Sequence, residues 1–219
     1  MPTEPIPSIG EPCVYIVDDE PAVRDAIRTL LDTEGLHTAC FATGREFLEV
    51  CTPATQGCVL LDLCMPDCSG LEIQKILCER DIHLPLIFLT GHGTIASSSE
   101  AFRTGALDYL EKPFDNEVLL QRVAEALDTD AKRHAKDLQK LAIAERYERL
   151  SDREKQVLQF VIHGYTSKQM AKEMAISHRT VEIYRKNIMR KLDTDTLIEL
   201  IRVVAPLIDD SGMIHQPAP

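Results

Sequence analysis

The run Cys58-Val59-Leu60-Leu61-Asp62 constrains the fold most. Four consecutive apolar residues end abruptly in an acid, and Met65-Pro66 follow. A short apolar run bounded by turn formers reads as a strand buried on both faces, as in a parallel sheet. Its carboxylate then stands at the strand's carboxyl end, where open α/β sheets place their ligands.

The pattern repeats. Val14–Val17 runs into Asp18-Asp19-Glu20, His37–Phe41 forms a short second strand, Pro85–Leu89 runs into Thr90-Gly91-His92, and Leu107–Glu111 runs into Lys112-Pro113. Between them lie amphipathic stretches at about 22–34, 45–51 and 94–103 and one opening at Gly70 with Leu71, Ile73, Ile76 and Leu77, and Val23, Ile27, Leu30 and Leu31 stand at helical spacing in the first. Strand and helix alternate five times, which predicts a five-stranded, doubly wound parallel sheet with right-handed crossovers.

Parallel strands share one carboxyl edge, so Asp18, Asp19, Asp62, Thr90 and Lys112 are expected together. Two like charges about 4 Å apart repel by about 4 kcal/mol at a surface-like dielectric. Three clustered carboxylates therefore call for a cation, and an oxygen-only ligand set favours Mg²⁺. A carboxylate nucleophile beside such an ion, a lysine and a hydroxyl suits phosphoryl transfer.

Composition bears on compartment and partners. Hydrophobic residues make up 44% and charged residues 27%, ordinary for a soluble globular chain. No apolar run approaches the roughly 18 residues of a membrane span. The proline-rich start lacks the basic and apolar blocks of a secretory signal, and a cytoplasmic location is expected. The seven cysteines (13, 40, 51, 58, 64, 68 and 78) read as reduced core thiols. Cys64 and Cys68 have no second pair at zinc-like spacing. Residues 1–150 carry 14 Lys+Arg against 26 Asp+Glu, whereas 151–205 carry 10 against 7. An acidic front and a basic back predict two domains with different partners.

These residues carry a resemblance. VYIVDDEPAVR, LLDLCMPDCSGLE, FLTGHG and DYLEKPF are similar to the receiver domain of bacterial two-component response regulators over about 12–128. The resemblance implies a flavodoxin-like receiver with Asp62 as phospho-acceptor. It implies Mg²⁺ held by Asp19 and Asp62, by Asp18 mainly through water, and by the Cys64 main-chain carbonyl. Thr90 and Lys112 become the phosphate-sensing pair and Tyr109 the aromatic switch. Phosphoryl lifetime would be tuned at Cys64 and His92, and Ala96–Ser99 is more polar than usual on a helix that commonly contributes to dimer surfaces.

Residues 115–149 lack Pro and Gly and are rich in Leu, Ala, Lys and Glu, which predicts a long helix. Leu120, Leu127, His134 and Leu141 recur every seven residues. That stripe suits either a solvated spacer, with 129–149 as linker, or a parallel dimer seam.

From Leu150 a small all-α domain is expected, to about residue 206. Ser151 with Glu154 forms a capping box, Ser167 is expected to cap a second helix, and Ser177 a third. Two short helices joined by a tight turn, the second strongly basic, describe a helix-turn-helix that binds double-stranded DNA. The segment LSDREKQVLQFVIHGYTSKQMAKEMAISHRTVEIYRKNIMRKL resembles the LuxR-type helix-turn-helix. With the receiver it is similar to the NarL/FixJ family of response regulators. By that likeness Glu182, Ile183 and Lys186 face base edges, while Ser177, Arg179, Thr180, Arg185 and Lys191 hold phosphates. A glutamate at 182 can accept from a cytosine amino group and lowers nonspecific phosphate affinity.

The expected function is a transcription regulator phosphorylated on Asp62 by a histidine kinase and activated through homodimerisation or release of its DNA-binding domain. It is not an enzyme beyond receiver self-phosphorylation and dephosphorylation. Two alternatives stand beside it. A regulator on the same fold could act without phosphorylation or read redox state through Cys64. An aspartyl-phosphate phosphatase of the haloacid-dehalogenase type would need a second acid where Cys64 stands.

Overall fold

The computed structural model describes residues 11–91, 108–208 and 213–214. The expected helix at 94–103, His92 and the Ala96–Ser99 surface lie outside these residues. The chain divides into two compact units, Met1–Arg133 and His134–Pro219.

In the first unit, strands β1 (Cys13–Val17), β2 (Thr38–Phe41), β3 (Gly57–Asp62), β4 (Leu86–Thr90) and β5 (Asp108–Glu111) pair in parallel in the order β2-β1-β3-β4-β5. Successive side chains of a strand point to opposite faces, and both faces are apolar. Tyr15, Val17, Val59, Leu61 and Phe88 pack on one side with Phe41, Phe47, Ile73 and Leu77. Val14, Ile16, Leu60, Ile87 and Leu89 pack on the other with Ile27, Leu31, Leu119 and Val123. The helices that close these faces are α1 (Pro21–Thr33), α2 (Gly44–Val50), α3 (Gly70–Glu79) and the first part of α4 (Asn116–Glu148). Burial on both faces is why β1, β3 and β4 are nearly unbroken apolar runs, whereas the edge strands β2 and β5 are only part buried.

Two glycines serve close approach. A Cβ on Gly70, the first residue of α3, would lie 2.8 Å from the Asp62 carbonyl oxygen, so only glycine lets α3 begin directly behind that aspartate. Gly57 opens β3 at φ +122, and a Cβ there would lie 1.8 Å from the Cys13 carbonyl oxygen. Its amide donates to Asp130 Oδ2 on α4 at 2.7 Å. Asp130 is buried and also pairs with Arg133 (Nη2 to Oδ1, 2.5 Å). One carboxylate thus pins α4 to the amino end of the strand that carries Asp62.

In the second unit, α5 (Asp152–Ile162), α6 (Ser167–Glu173), α7 (His178–Leu192) and α8 (Leu197–Val204) surround a core of Val157, Leu158, Met170, Val181, Ile188, Leu192 and Leu200. Ile143 and Tyr147 from the end of α4 join the same core. The box of Ser151 and Glu154 caps α5, and Ser177 caps α7. The cap of α6 is Thr166 rather than Ser167: its hydroxyl accepts from the Gln169 amide, and Gln169 returns the bond to the Thr166 amide. Adjacent hydroxyl residues both suit a cap, and the reciprocal glutamine favours the one three residues before it. Helix α8, capped by Thr196 with Glu199 in its first turn, was not foreseen from the sequence. Among the described residues no helix is long and apolar enough to cross a membrane.

Candidate functional site

At the carboxyl edge of the sheet, Lys112 Nζ donates to Asp18 Oδ2 at 2.6 Å and to Asp62 Oδ1 at 2.9 Å. Asp18 is 0% exposed and Asp62 5%. Their other oxygens are engaged too: Asp18 Oδ1 accepts from the Glu20 amide (2.9 Å), and Asp62 Oδ2 from the Cys64 amide (3.0 Å). Residues separated by 94 and 50 positions meet because β1, β3 and β5 end on one edge. Burial opposes the Lys112 charge, but the hydrogen bonds and charges of Asp18 and Asp62 outweigh it and raise its pKa. Glu20 lies 3.9 Å from the same ammonium.

Thr90 ends β4 next to Asp62 in the sheet, and its hydroxyl donates to the Gly91 carbonyl at 2.9 Å. Tyr109 on β5 is 40% exposed. Asp19 is exposed beside the buried pair. Among the described residues no group of three or more His, Cys, Asp or Glu side chains closes into a metal cage. The set nonetheless fits a hard cation that keeps its waters. Asp18 and Asp62 carry two buried charges against one lysine, Asp19 adds a third, and every donor in the set is oxygen.

The cysteines form no disulfide among themselves: Cys13, Cys51 and Cys58 are buried, and Cys64 and Cys78 exposed. Burial pushes the Cys13 and Cys51 thiols up to about 12. Such thiols are protonated and inert.

The second group of interest lies on α7. Arg179, Glu182, Ile183, Lys186 and Arg190 are exposed at helical spacing on one face, with Ile183 53% exposed. Other expected DNA-facing residues are committed within the protein. The Ser177 hydroxyl accepts from the Thr180 amide and bonds the Thr180 hydroxyl. Arg185 Nη1 donates to Ser167 Oγ (2.6 Å) and Glu182 Oε1 (3.3 Å). Lys191 Nζ donates to Glu154 Oε2 (2.6 Å) and to the Arg149 carbonyl (3.0 Å).

Comparison with known proteins decides what this pairing is. Residues 14–124 match the response regulator receiver domain, and residues 148–204 match the LuxR family of bacterial regulatory proteins. The chain belongs to the NarL/FixJ family of response regulators. This response regulator is 40% identical over 196 residues to the response regulator protein TodT of Pseudomonas putida, covering 90% of this chain and 86% of that one. It is 37% identical to the transcriptional regulatory protein FixJ of Azorhizobium caulinodans, covering 90% and 95%. Among solved structures it resembles the response regulator StyR (TM-score 0.79, 36% identity, 90% of this chain and 100% of that one). It also resembles full-length FixJ from B. japonicum (TM-score 0.54, 34% identity, 89% and 96%). The regulator is a DNA-binding transcription regulator, and its receiver implies a histidine kinase partner.

Three contacts carry no signal in the sequence: Asp130 on Gly57, Lys191 on Glu154, and Arg185 on Ser167. Each joins elements whose meeting depends on packing rather than on local pattern.

Proposed function

We propose that Asp62 receives the phosphoryl group and that its charge state governs DNA binding by α7. The observation that carries this is the Lys112 ammonium bridging buried Asp18 and Asp62 at the sheet edge. In the step itself, a carboxylate oxygen of Asp62 attacks the phosphorus of a kinase phosphohistidine. The P–N bond breaks, and the imidazole leaves with the electron pair and takes up a proton. Lys112 then trades its contact with an Asp62 oxygen for a phosphoryl oxygen, and the Thr90 hydroxyl turns from Gly91 to donate to another.

Asp18, Asp19, Asp62 and the Cys64 carbonyl are the residues that would hold Mg²⁺. When bound, that ion supplies charge neutralisation on the phosphoryl oxygens. The receiver also acts on small phosphodonors and releases its own phosphoryl group. The new charge engages Thr90 and Lys112, and Tyr109 turns inward from its exposed position.

The working division is receiver 12–128, helical linker 129–149 and DNA-binding domain 150–206. Activation brings two copies together, so that paired α7 helices read a two-fold site in the major groove. On α7, Glu182, Ile183 and Lys186 face base edges, and Arg179 with the capped amino end at Ser177 and Thr180 holds phosphate. The regulator works in the cytoplasm. Incubation with acetyl phosphate and Mg²⁺ followed by peptide mapping should find one phosphoryl group, on Asp62. A group on another residue contradicts the proposal.

A further inference from the structure

An acid on the exposed face of a DNA-facing helix carries a cost, because it meets the repulsion of phosphates on both sides of the groove. Glu182 is such an acid, and its surroundings are built rather than incidental. Arg185, three residues on, donates from one nitrogen to both Glu182 Oε1 and Ser167 Oγ. Ser167 is buried at the start of α6. The Ser167 hydroxyl foremost, with the charges of Arg185 and His178, holds the Glu182 carboxyl below the usual range against a smaller opposing effect of burial. Arg185 therefore ties the two helices of the helix-turn-helix together and holds Glu182 on the same nitrogen.

Three physical consequences follow. The guanidinium offsets the Glu182 charge locally, which reduces its repulsion from phosphate. A side chain already held in one rotamer loses little entropy on meeting a base. And Glu182 remains about half exposed, so the carboxylate keeps lone pairs for an outside donor. In the major groove the amino groups of cytosine and adenine are the donors, and adenine sets its own N7 acceptor beside the amino group. A lone carboxylate therefore favours cytosine. Ile183, adjacent and exposed, presents apolar surface suited to a thymine methyl.

We infer that Ser167 and Arg185 are positioning residues that hold Glu182 to read one C·G base pair in each half-site. Arg185 accordingly acts on specificity instead of serving as a phosphate clamp. The inference rests on the proposed reading of α7 as the base-facing helix.

The test uses the full-length chain, activated with acetyl phosphate and Mg²⁺, selecting from a pool of randomised duplexes. Affinities for the selected site, for single-base variants of it and for an unrelated duplex follow over a salt series. The unsubstituted chain should enrich C·G at one position per half-site. Glu182→Ala should lose roughly ten- to a hundred-fold of discrimination at that base pair alone, while its affinity for the unrelated duplex rises. Arg185→Ala should lose discrimination at the same pair, and Ser167→Ala should lose it to a smaller degree. If Arg185→Ala fails to fold by circular dichroism, Arg185→Met serves in its place, because it keeps most of the apolar stem and removes the donor that reaches both partners.

An Arg185 variant that weakens every duplex equally, with a salt slope reduced by about one, overturns the positioning role. Enrichment of a base other than cytosine, or a preference that survives Glu182→Ala, overturns the base assignment. A chain that enriches no sequence at all contradicts the underlying reading of α7 instead.

Discussion

Glu154 shows how much a single side chain holds in the second unit. It is 4% exposed and accepts from the Ser151 amide, the Ser151 hydroxyl and Lys191 Nζ. Burial opposes its charge, but Lys191 and Ser151 together lower its pKa. A depressed carboxylate contributes stability that is present above its unfolded value, near 4.3, and is lost as pH falls through the folded value. Glu154→Gln should therefore cost about 1–3 kcal/mol at neutral pH. That deficit should shrink in urea titrations run below about pH 4. Lys112 is the counterpart in the first unit. Lys112→Ala leaves Asp18 and Asp62 buried and unneutralised, and should lower receiver stability by about 3 kcal/mol. Added Mg²⁺ should raise the melting temperature of this variant more than that of the unsubstituted chain.

Among the elements, β3 carries the most. Asp62 stands at its carboxyl end with Gly70 of α3 pressed behind it, and Gly57 opens its amino end under Asp130 of α4. Gly57→Ala forces a Cβ into the Cys13 carbonyl at a positive φ. It should destabilise the receiver by more than about 4 kcal/mol, read as a lower urea midpoint. Asp130→Ala leaves the buried Gly57 amide without its acceptor and should cost about 1–3 kcal/mol. The central strands β1, β3 and β4 were legible because burial on both faces leaves a nearly unbroken apolar run. Asp18, Asp62 and Lys112 were legible because parallel strands must end together. The Asp130–Gly57 bond was not, since it spans 73 residues and nothing local marks either partner. For the same reason a basic helix in a sequence does not reveal that Lys191 reaches buried Glu154 or that Arg185 reaches Ser167. The choice between Thr166 and Ser167 as a cap turned on Gln169.

Over the whole molecule, charge divides the labour. The first 150 residues carry 26 acids against 14 bases, while 151–205 carry an excess of bases. DNA affinity should fall steeply with salt through the second unit, and the acidic first unit contributes repulsion rather than contacts. In the acidic part, the sheet edge gathers Asp18, Asp62 and Lys112. A phosphoryl group on Asp62 is proposed to control DNA binding. The most direct test measures affinity for a selected duplex with and without acetyl phosphate and Mg²⁺, in the unsubstituted chain and in Asp62→Asn. The phosphodonor should tighten binding at least ten-fold in the former and leave the latter unchanged. An equal gain in both proteins, or none in either, would contradict control through Asp62.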